Sequence, residues 1–252
     1  MSALLSQGCG GSGGDDSDDD NTSEFSVCSP FRIINGSECQ ADNIPVVLLE
    51  IEGPLGTGVC TGTVISNDFI LTAAHCVSSG VSAAVVRHDR RTQEATEYGF
   101  NPLFLSIAEG DSQYDVALIK VPGFASAAGL TPVAIGTSKQ IKTGDIVSIV
   151  GFGTDEAGDF GSDLPGGNPR ATSLKVADTD SGLFATLYDD TETSPCFGDS
   201  GGSAVKDGVI VGVESAGTTE DCRAGDVNIF TAMNVDSNIE FIRSNVPGVV
   251  LE

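Results

Sequence analysis

The chain has 252 residues, 40 % of them hydrophobic, with 36 acidic against 12 basic side chains and a formal net charge of −24. That is enough apolar chain for one large domain with a real core. Only six of the acids precede Ile33, so the acidity belongs to the folded part; it excludes nucleic acid as an expected partner and favours solubility.

The first stretch, MSALLSQGCGGSGGDDSDDDNTSE (Met1–Glu24), is low-complexity and offers nothing to pack, so residues 1–32 read as a disordered leader. A short apolar run followed by Gly8-Cys9 resembles the end of a bacterial lipoprotein signal, although Ser6 stands where an aliphatic residue is usual. Lipidation of Cys9, with anchoring at the cell surface, and a plain leader both stay open. No run is long and apolar enough for a transmembrane helix.

Beyond the leader, short apolar runs bounded by Gly, Asn, Asp and Ser recur and predict an all-β fold. In order they are PVVLLEI (Pro45–Ile51), GTVIS (Gly62–Ser66), FILTAA (Phe69–Ala74), DVALIKV (Asp115–Val121), DIVSIVGFG (Asp145–Gly153) and GVIVGVES (Gly208–Ser215). SND (Ser66–Asp68) predicts a hairpin between the second and third. The basic cluster RHDRR (Arg87–Arg91) reads as a solvated loop. DSNIEFIRSNV (Asp236–Val246) fits a helix, with Asp236 as its cap and Ile239, Ile242 and Val246 on one face.

With Cys9 set aside, six cysteines remain, an even number that suits an oxidised, exported protein, extracellular or periplasmic. Six cysteines allow fifteen pairings; Cys60 and Cys76 flank the predicted hairpin and can meet across it. No CxxC spacing points to zinc, and no cofactor or metal is expected.

Two histidines are present. His88 lies in the charged cluster and reads as structural. His75, in TAAHCV, follows an apolar strand beside a cysteine, which can hold a general base rigidly. In SPCFGDSGGS (Ser194–Ser203) Asp199 directly precedes Ser200. Neighbours in an extended chain point to opposite sides, so Asp199 is badly placed to activate that serine. The glycines permit unusual backbone angles, and the N–H groups of Gly198 and Ser200 can converge as an oxyanion hole.

TAAHC, YDVALIK and GDSGG, in that order, resemble the chymotrypsin/trypsin family of serine proteases, in a bacterial-looking member in zymogen form. The resemblance runs from RIING (Arg32–Gly36) to the C-terminal helix. It implies two six-stranded antiparallel β-barrels, about 33–135 and 136–234, with a C-terminal α-helix at about 236–246 and the active site between them. It implies a Ser200–His75–Asp115 triad, with Gly198 and Ser200 N–H groups as oxyanion hole and Ser215 bonded to Asp115. It gives Asp199 a different partner: cleavage after Arg32 would free the Ile33 ammonium, which would pair with Asp199 and order the loop. Cys60–Cys76 and Cys196–Cys222 match family bridges. Cys39 stands where relatives often have a cysteine whose distant partner is missing here, and Cys28–Cys39 is expected, keeping the leader attached after cleavage.

The same resemblance puts Ser194 at the base of the pocket for P1, the residue on the amino side of the cut bond. Trypsin-like members have Asp there. Glu214 takes a wall position that is normally valine, Asn228 approximately one that is normally glycine, with Asp226 near; apolar and basic P1 therefore both stay open. Ser215, Ala216 and Gly217 are expected to pair with substrate backbone, and Ala216 in place of a tryptophan opens the P2–P4 side. The implied molecule is a monomeric, secreted serine endopeptidase acting on protein or peptide, cut by an activating protease or by itself. The alternative is a catalytically inactive protease-like binding or cell-surface assembly protein.

Overall fold

A computed structural model describes residues 28–29, 37–39, 44–54, 56–78, 80–89, 91–109, 111–154, 169–189, 193–219 and 221–252. Cys9, Arg32, Ile33 and most of the loop 153–170 lie outside those residues.

Two short strands come first, β1 (Cys28–Ser29) and β2 (Ser37–Cys39). Seven strands form the next sheet: β3 (Val46–Gly53), β4 (Gly56–Val64), β5 (Phe69–Thr72), β6 (Ala83–His88), β7 (Arg91–Glu94), β8 (Glu97–Phe100) and β9 (Ala117–Lys120). Their order is β7-β6-β3-β4-β5-β9-β8. β7 and β8 are halves of one bent strand. Ala95 N–H donates to Ala84 on β6 at 2.8 Å, and Thr96 N–H donates to Lys120 on β9 at 2.9 Å. A strand that switches partner at a bend is how such sheets turn a corner, and here it closes a barrel of six.

The second sheet holds β10 (Ala134–Ile135), β11 (Ile146–Gly151), β12 (Arg170–Asp180), β13 (Leu183–Leu187), β14 (Ser203–Lys206), β15 (Val209–Ala216) and β16 (Val227–Ala232). The path β12-β11-β14-β15-β16-β13 returns to β12 through a β12–β13 pairing, a closed ring of six. The architecture is thus all-β, two barrel-like sheets, as expected. Two segments expected in the first unit bond instead to the second. β2 pairs with β12 at Glu38↔Arg170 and Ser37↔Ala171, and β10 lies parallel to β15. The cause is length: β12 outruns β13 and β15 outruns β16, leaving free ladder edges that the short strands fill.

PVVLLEI shows no alternation because β3 is buried on both faces. Val47, Leu49 and Ile51 enter the first barrel's core. Val46 and Leu48, with Ile44, pack on Val150, Phe152 and Ala171 at the seam between barrels. The second core is built around Phe184 and Phe230, stacked at 4.9 Å. Such two-sided burial contributes roughly 1.5–3 kcal/mol per large side chain.

RHDRR is not a solvated loop. His88 ends β6 and is 4 % exposed, with Nε2 3.1 Å from the Ile44 carbonyl oxygen, while Arg87 faces out to Glu50. The alternation of a hairpin strand sends neighbouring side chains to opposite faces. Three α-helices are present among the described residues: α1 (Ala74–Val77), α2 (Phe124–Ala128) and α3 (Asp236–Asn245). Asp236 does not cap α3. Val235 holds the N-cap position, and Asp236 sits in the first turn, where a carboxylate complements the helix dipole. Ile242 and Val246 are buried in the first core, Ile239 only partly. Asn238, fully buried, donates to the Gln113 carbonyl at 2.9 Å and accepts from Asn101 Nδ2 at 2.7 Å. The last helix therefore returns across the molecule to the first barrel. No helix among the described residues is long and apolar enough to cross a membrane.

Candidate active site

His75 stands on α1, one turn of helix directly after β5, and a Cys60–Cys76 disulfide staples that turn to β4. Asp115 follows the 3-10 turn Asp111–Tyr114 and precedes β9, with 0 % exposure. It is saturated with donors. Its Oδ1 accepts the His75 backbone N–H at 2.8 Å; its Oδ2 is 2.7 Å from His75 Nδ1 and accepts the Ser215 hydroxyl at 2.6 Å. A carboxylate so held fixes both the ring plane and the tautomer, with the proton on Nδ1 and a lone pair on Nε2.

Ser200 lies where the first barrel meets the 194–203 loop. Cys76 Sγ is 3.8 Å from His75 Nε2 and 3.9 Å from the Ser200 carbonyl oxygen, so the two residues flank one disulfide. Among the described residues no hydrogen bond joins Nε2 to the Ser200 hydroxyl. Thr61, fully buried on β4, holds this loop from the other barrel. Its N–H donates to the Ser200 carbonyl at 2.8 Å and its hydroxyl donates to the Gly198 carbonyl at 2.8 Å, while the same oxygen accepts Phe152 N–H at 3.1 Å. Gly198 has φ +96, a conformation open to glycine. The N–H groups of Gly198 and Ser200 have no protein acceptor among the described residues, whereas those of Asp199, Gly201 and Gly202 are all bonded. Sequence reasoning missed Thr61; its place beside Cys60, in the disulfide behind His75, was the available signal.

Asp199 is fully buried and turned away from His75. Its Oδ1 accepts Gly153 N–H at 2.8 Å and its Oδ2 accepts Cys196 N–H at 2.9 Å. It fits only because Gly151 and Gly153 lack side chains: a Cβ there would lie 2.0 and 2.3 Å from its oxygens. Burial pushes its carboxyl up to about 6, against the opposing pull of those two N–H groups and of Arg170. The carboxylate thus lacks a full counter-charge within the described residues. Ile33, its expected partner, lies outside them.

A pocket of about 280 Å³ opens beside Ser200, bounded among others by Pro195, Phe197, Ala216 and Gly217. The Cys196–Cys222 disulfide forms part of its wall. Ser194 is fully buried; its hydroxyl donates to the Pro195 carbonyl and accepts Asn228 Nδ2 at 3.0 Å. Glu214 is among the residues that line the pocket, at 4 % exposure, and its Oε2 is buried without a hydrogen-bond partner. Burial first, then the neighbouring carboxylates Asp199, Asp226 and Asp115, hold its carboxyl well above the ordinary range. Asp226 lines the pocket too, with its Oδ1 bonded and its Oδ2 unpartnered.

Cys28 and Cys39 are direct partners in the antiparallel β1–β2 pair. One grouping of metal-ligand residue types occurs among the described residues, Cys60, His75 and Cys76, and its two sulfurs are bonded to each other, leaving no thiolate. Glu97 pairs with Lys120 at 3.1 Å.

The trypsin family model matches residues 33–239. Mouse (Mus musculus) cathepsin G is 30 % identical over 130 residues, 48 % of this chain and 49 % of its own, so the match spans about half of that relative. Serine protease 1 of Drosophila melanogaster is 26 % identical over 230 residues, 85 % of each chain. The solved structure of HL collagenase superposes with a TM-score of 0.67 at 24 % identity, over 84 % of this chain and 98 % of that one, which shows a shared fold. Both named relatives are animal proteins, and the bacterial character read from the leader finds no support in them.

Proposed function

The chain belongs to the trypsin family of serine proteases, and from that premise we propose that it is an active, exported endopeptidase made as a zymogen. The observation that carries the reading is the joint arrangement of a saturated Asp115–His75 pair and the Gly198 and Ser200 N–H groups, which have no acceptor among the described residues. Ser200 Oγ attacks the peptide carbonyl carbon while His75 Nε2 takes its proton. The C–N bond then breaks as Nε2 returns that proton to the leaving amine. Water repeats the sequence on the acyl-enzyme and restores Ser200. Asp115 keeps His75 in the right tautomer and stabilises its cation, and Gly198 and Ser200 N–H groups bind the oxyanion. The Nε2–Oγ hydrogen bond forms when substrate arrives, as catalytic contacts tighten in the loaded site.

Activation is cleavage after Arg32. The Ile33 ammonium would neutralise Asp199, and the support is a sealed carboxylate, raised to about 6, on the loop that carries Gly198 and Ser200. Residues 1–32 serve as propeptide and 33–252 as the protease domain. The face-to-face register of Cys28 and Cys39 supports a disulfide that keeps the cut leader attached. Non-reducing mass spectrometry of the cut protein reads this directly, and a free leader overturns it. Two disulfides in the protease domain suit an extracellular setting.

The test is fluorophosphonate labelling after cleavage at Arg32, with Ser200→Ala as control. Labelling of Ser200 is expected. A cut, folded protein that does not label is the inactive binding scaffold instead.

A further inference from the structure

Asp115 follows a turn with little hold of its own. Asp111–Tyr114 is a single 3-10 turn, a form with poor hydrogen-bond geometry. Its tie to Asp115 is long: the Asp115 N–H reaches the Ser112 carbonyl at 3.3 Å. The firm ties come from elsewhere. The Thr231 hydroxyl, on β16 of the second barrel, donates to the same Ser112 carbonyl at 2.5 Å. Asn238 Nδ2, on α3, donates to the next carbonyl, that of Gln113, at 2.9 Å. Asn238 Oδ1 accepts Asn101 Nδ2 at 2.7 Å, and the Asn101 N–H donates to the Val116 carbonyl at 2.9 Å. The two asparagines therefore grip the chain on both sides of Asp115. The β12–β13 turn closes the cradle: a Cβ on Gly182 would lie 3.3 Å from Gln113 Cβ and 2.8 Å from Val235 Cγ2.

These groups are sealed from water. Thr231 and Asn238 are 0 % exposed and Asn101 is 1 % exposed. A buried amide costs free energy unless its polar atoms are bonded, and a leucine of like volume would carry no such demand. The bonds here also run in one direction. Asn101 Oδ1 accepts the Leu103 N–H at 3.0 Å, which turns its Nδ2 toward Asn238 Oδ1. That in turn aims Asn238 Nδ2 at the carbonyls of Gln113 and Ala232, at 2.9 and 3.4 Å. Only one orientation of each amide satisfies this series, so the turn has one seat. We propose that Asn238 and Thr231 are positioning residues for peptide hydrolysis: they seat the 111–114 turn so that the Asp115 carboxylate meets His75 Nδ1, at 2.7 Å, and they act on Ser200 only through that pair. The proposal rests on the endopeptidase reading above. It gives the second barrel a hold on the backbone before Asp115, beside the Ser215 bond to its carboxylate.

The experiment uses the full chain cut after Arg32 and the peptide that a library digest shows to be cut fastest. Sites are counted by saturating fluorophosphonate labelling, so unfolded protein does not enter kcat. Asn238→Leu is expected to lower kcat per labelled site by about tenfold to a hundredfold with KM unchanged, the cost of misplacing a group at the reacting centre. The far-downfield proton NMR resonance of His75 Nδ1–H, which reports the bond to Asp115, should move upfield in the same variant. Thr231→Val should move the resonance less and lower kcat by about threefold to tenfold, and Thr231→Ser should restore both. A purely structural role would lower the melting temperature and leave kcat per site and the resonance unchanged; that result overturns the proposal. A fall in kcat without movement of the resonance overturns it as well. If Asn238→Leu does not fold, the Thr231 pair alone decides. If the wild type does not label, the endopeptidase reading fails instead, and the resonance alone tests the seat: no movement in Asn238→Leu or Thr231→Val refutes it.

Discussion

The barrel seam and the pocket each bury carboxylates, and they treat them in opposite ways. Asp115, at 0 % exposure, has three donors on its two oxygens. Glu214, at 4 %, has an oxygen with no partner among the described residues. Burial is the same; only the supply of donors differs. A satisfied carboxylate is a fixed part, set before substrate comes. An unsatisfied one is pushed toward its neutral form by its surroundings. Asp199 stands between them, with two backbone donors and no full counter-charge.

The largest effect tests the satisfied end. Asp115→Asn keeps the shape and offers His75 a donor where it needs an acceptor, turning the ring to the wrong tautomer. On the cut enzyme kcat should fall about 10⁴-fold. Initial rates on the best peptide measure this, and a loss below about tenfold would mean that Asp115 does not set the tautomer.

Next is the intermediate case. The Asp199 carboxyl is raised from 3.8 to about 6 in the folded chain. A raised carboxyl holds its proton more tightly when folded. Its stabilising contribution is therefore complete below about pH 4 and is lost as pH rises through about 6, an amount on the order of 3 kcal/mol. Urea unfolding of the uncut protein between those pH values should show the decline, and Asp199→Asn should flatten it. Parallel wild-type and variant curves would mean that Asp199 finds a counter-charge before cleavage.

Smaller is Ser215→Ala, which takes one donor from Asp115 and moves it toward the condition of Glu214. The loss of one hydrogen bond to a charge is about 2 kcal/mol, or about thirtyfold in kcat/KM. Smallest is Thr61, a neutral contact at the seam. Thr61→Val strands the Gly198 carbonyl and Phe152 N–H, which should lower kcat by about tenfold. Thr61→Ser keeps the hydroxyl and should restore most of that rate; if both variants behave alike, the hydroxyl does not position the loop.

Much of this was legible in the chain. Turn residues bounding β4, β5, β9, β11 and β15 marked those strands, and TAAHC, YDVALIK and GDSGG marked the triad positions. Barrel closure was not, because it depends on Ala95 and Thr96 choosing different partners far away in sequence. The burial of Glu214 was not either. The β15–β16 register shifts between Glu214 and Ala216, and such a bulge re-aims side chains in a way alternation cannot foresee. The burial of His88 was hidden for a related reason: a charged spelling, RHDRR, conceals one inward position on a hairpin.

The hydroxyl of Ser215 belongs to β15 of the second barrel, and the carboxylate it holds belongs to the first. That single bond makes the active site a gauge of mechanical alignment. A slide of about 1 Å between the barrels would stretch it past hydrogen-bonding range and release Asp115 while both barrels stayed folded. Moderate pressure or shear should therefore silence the molecule before it unravels.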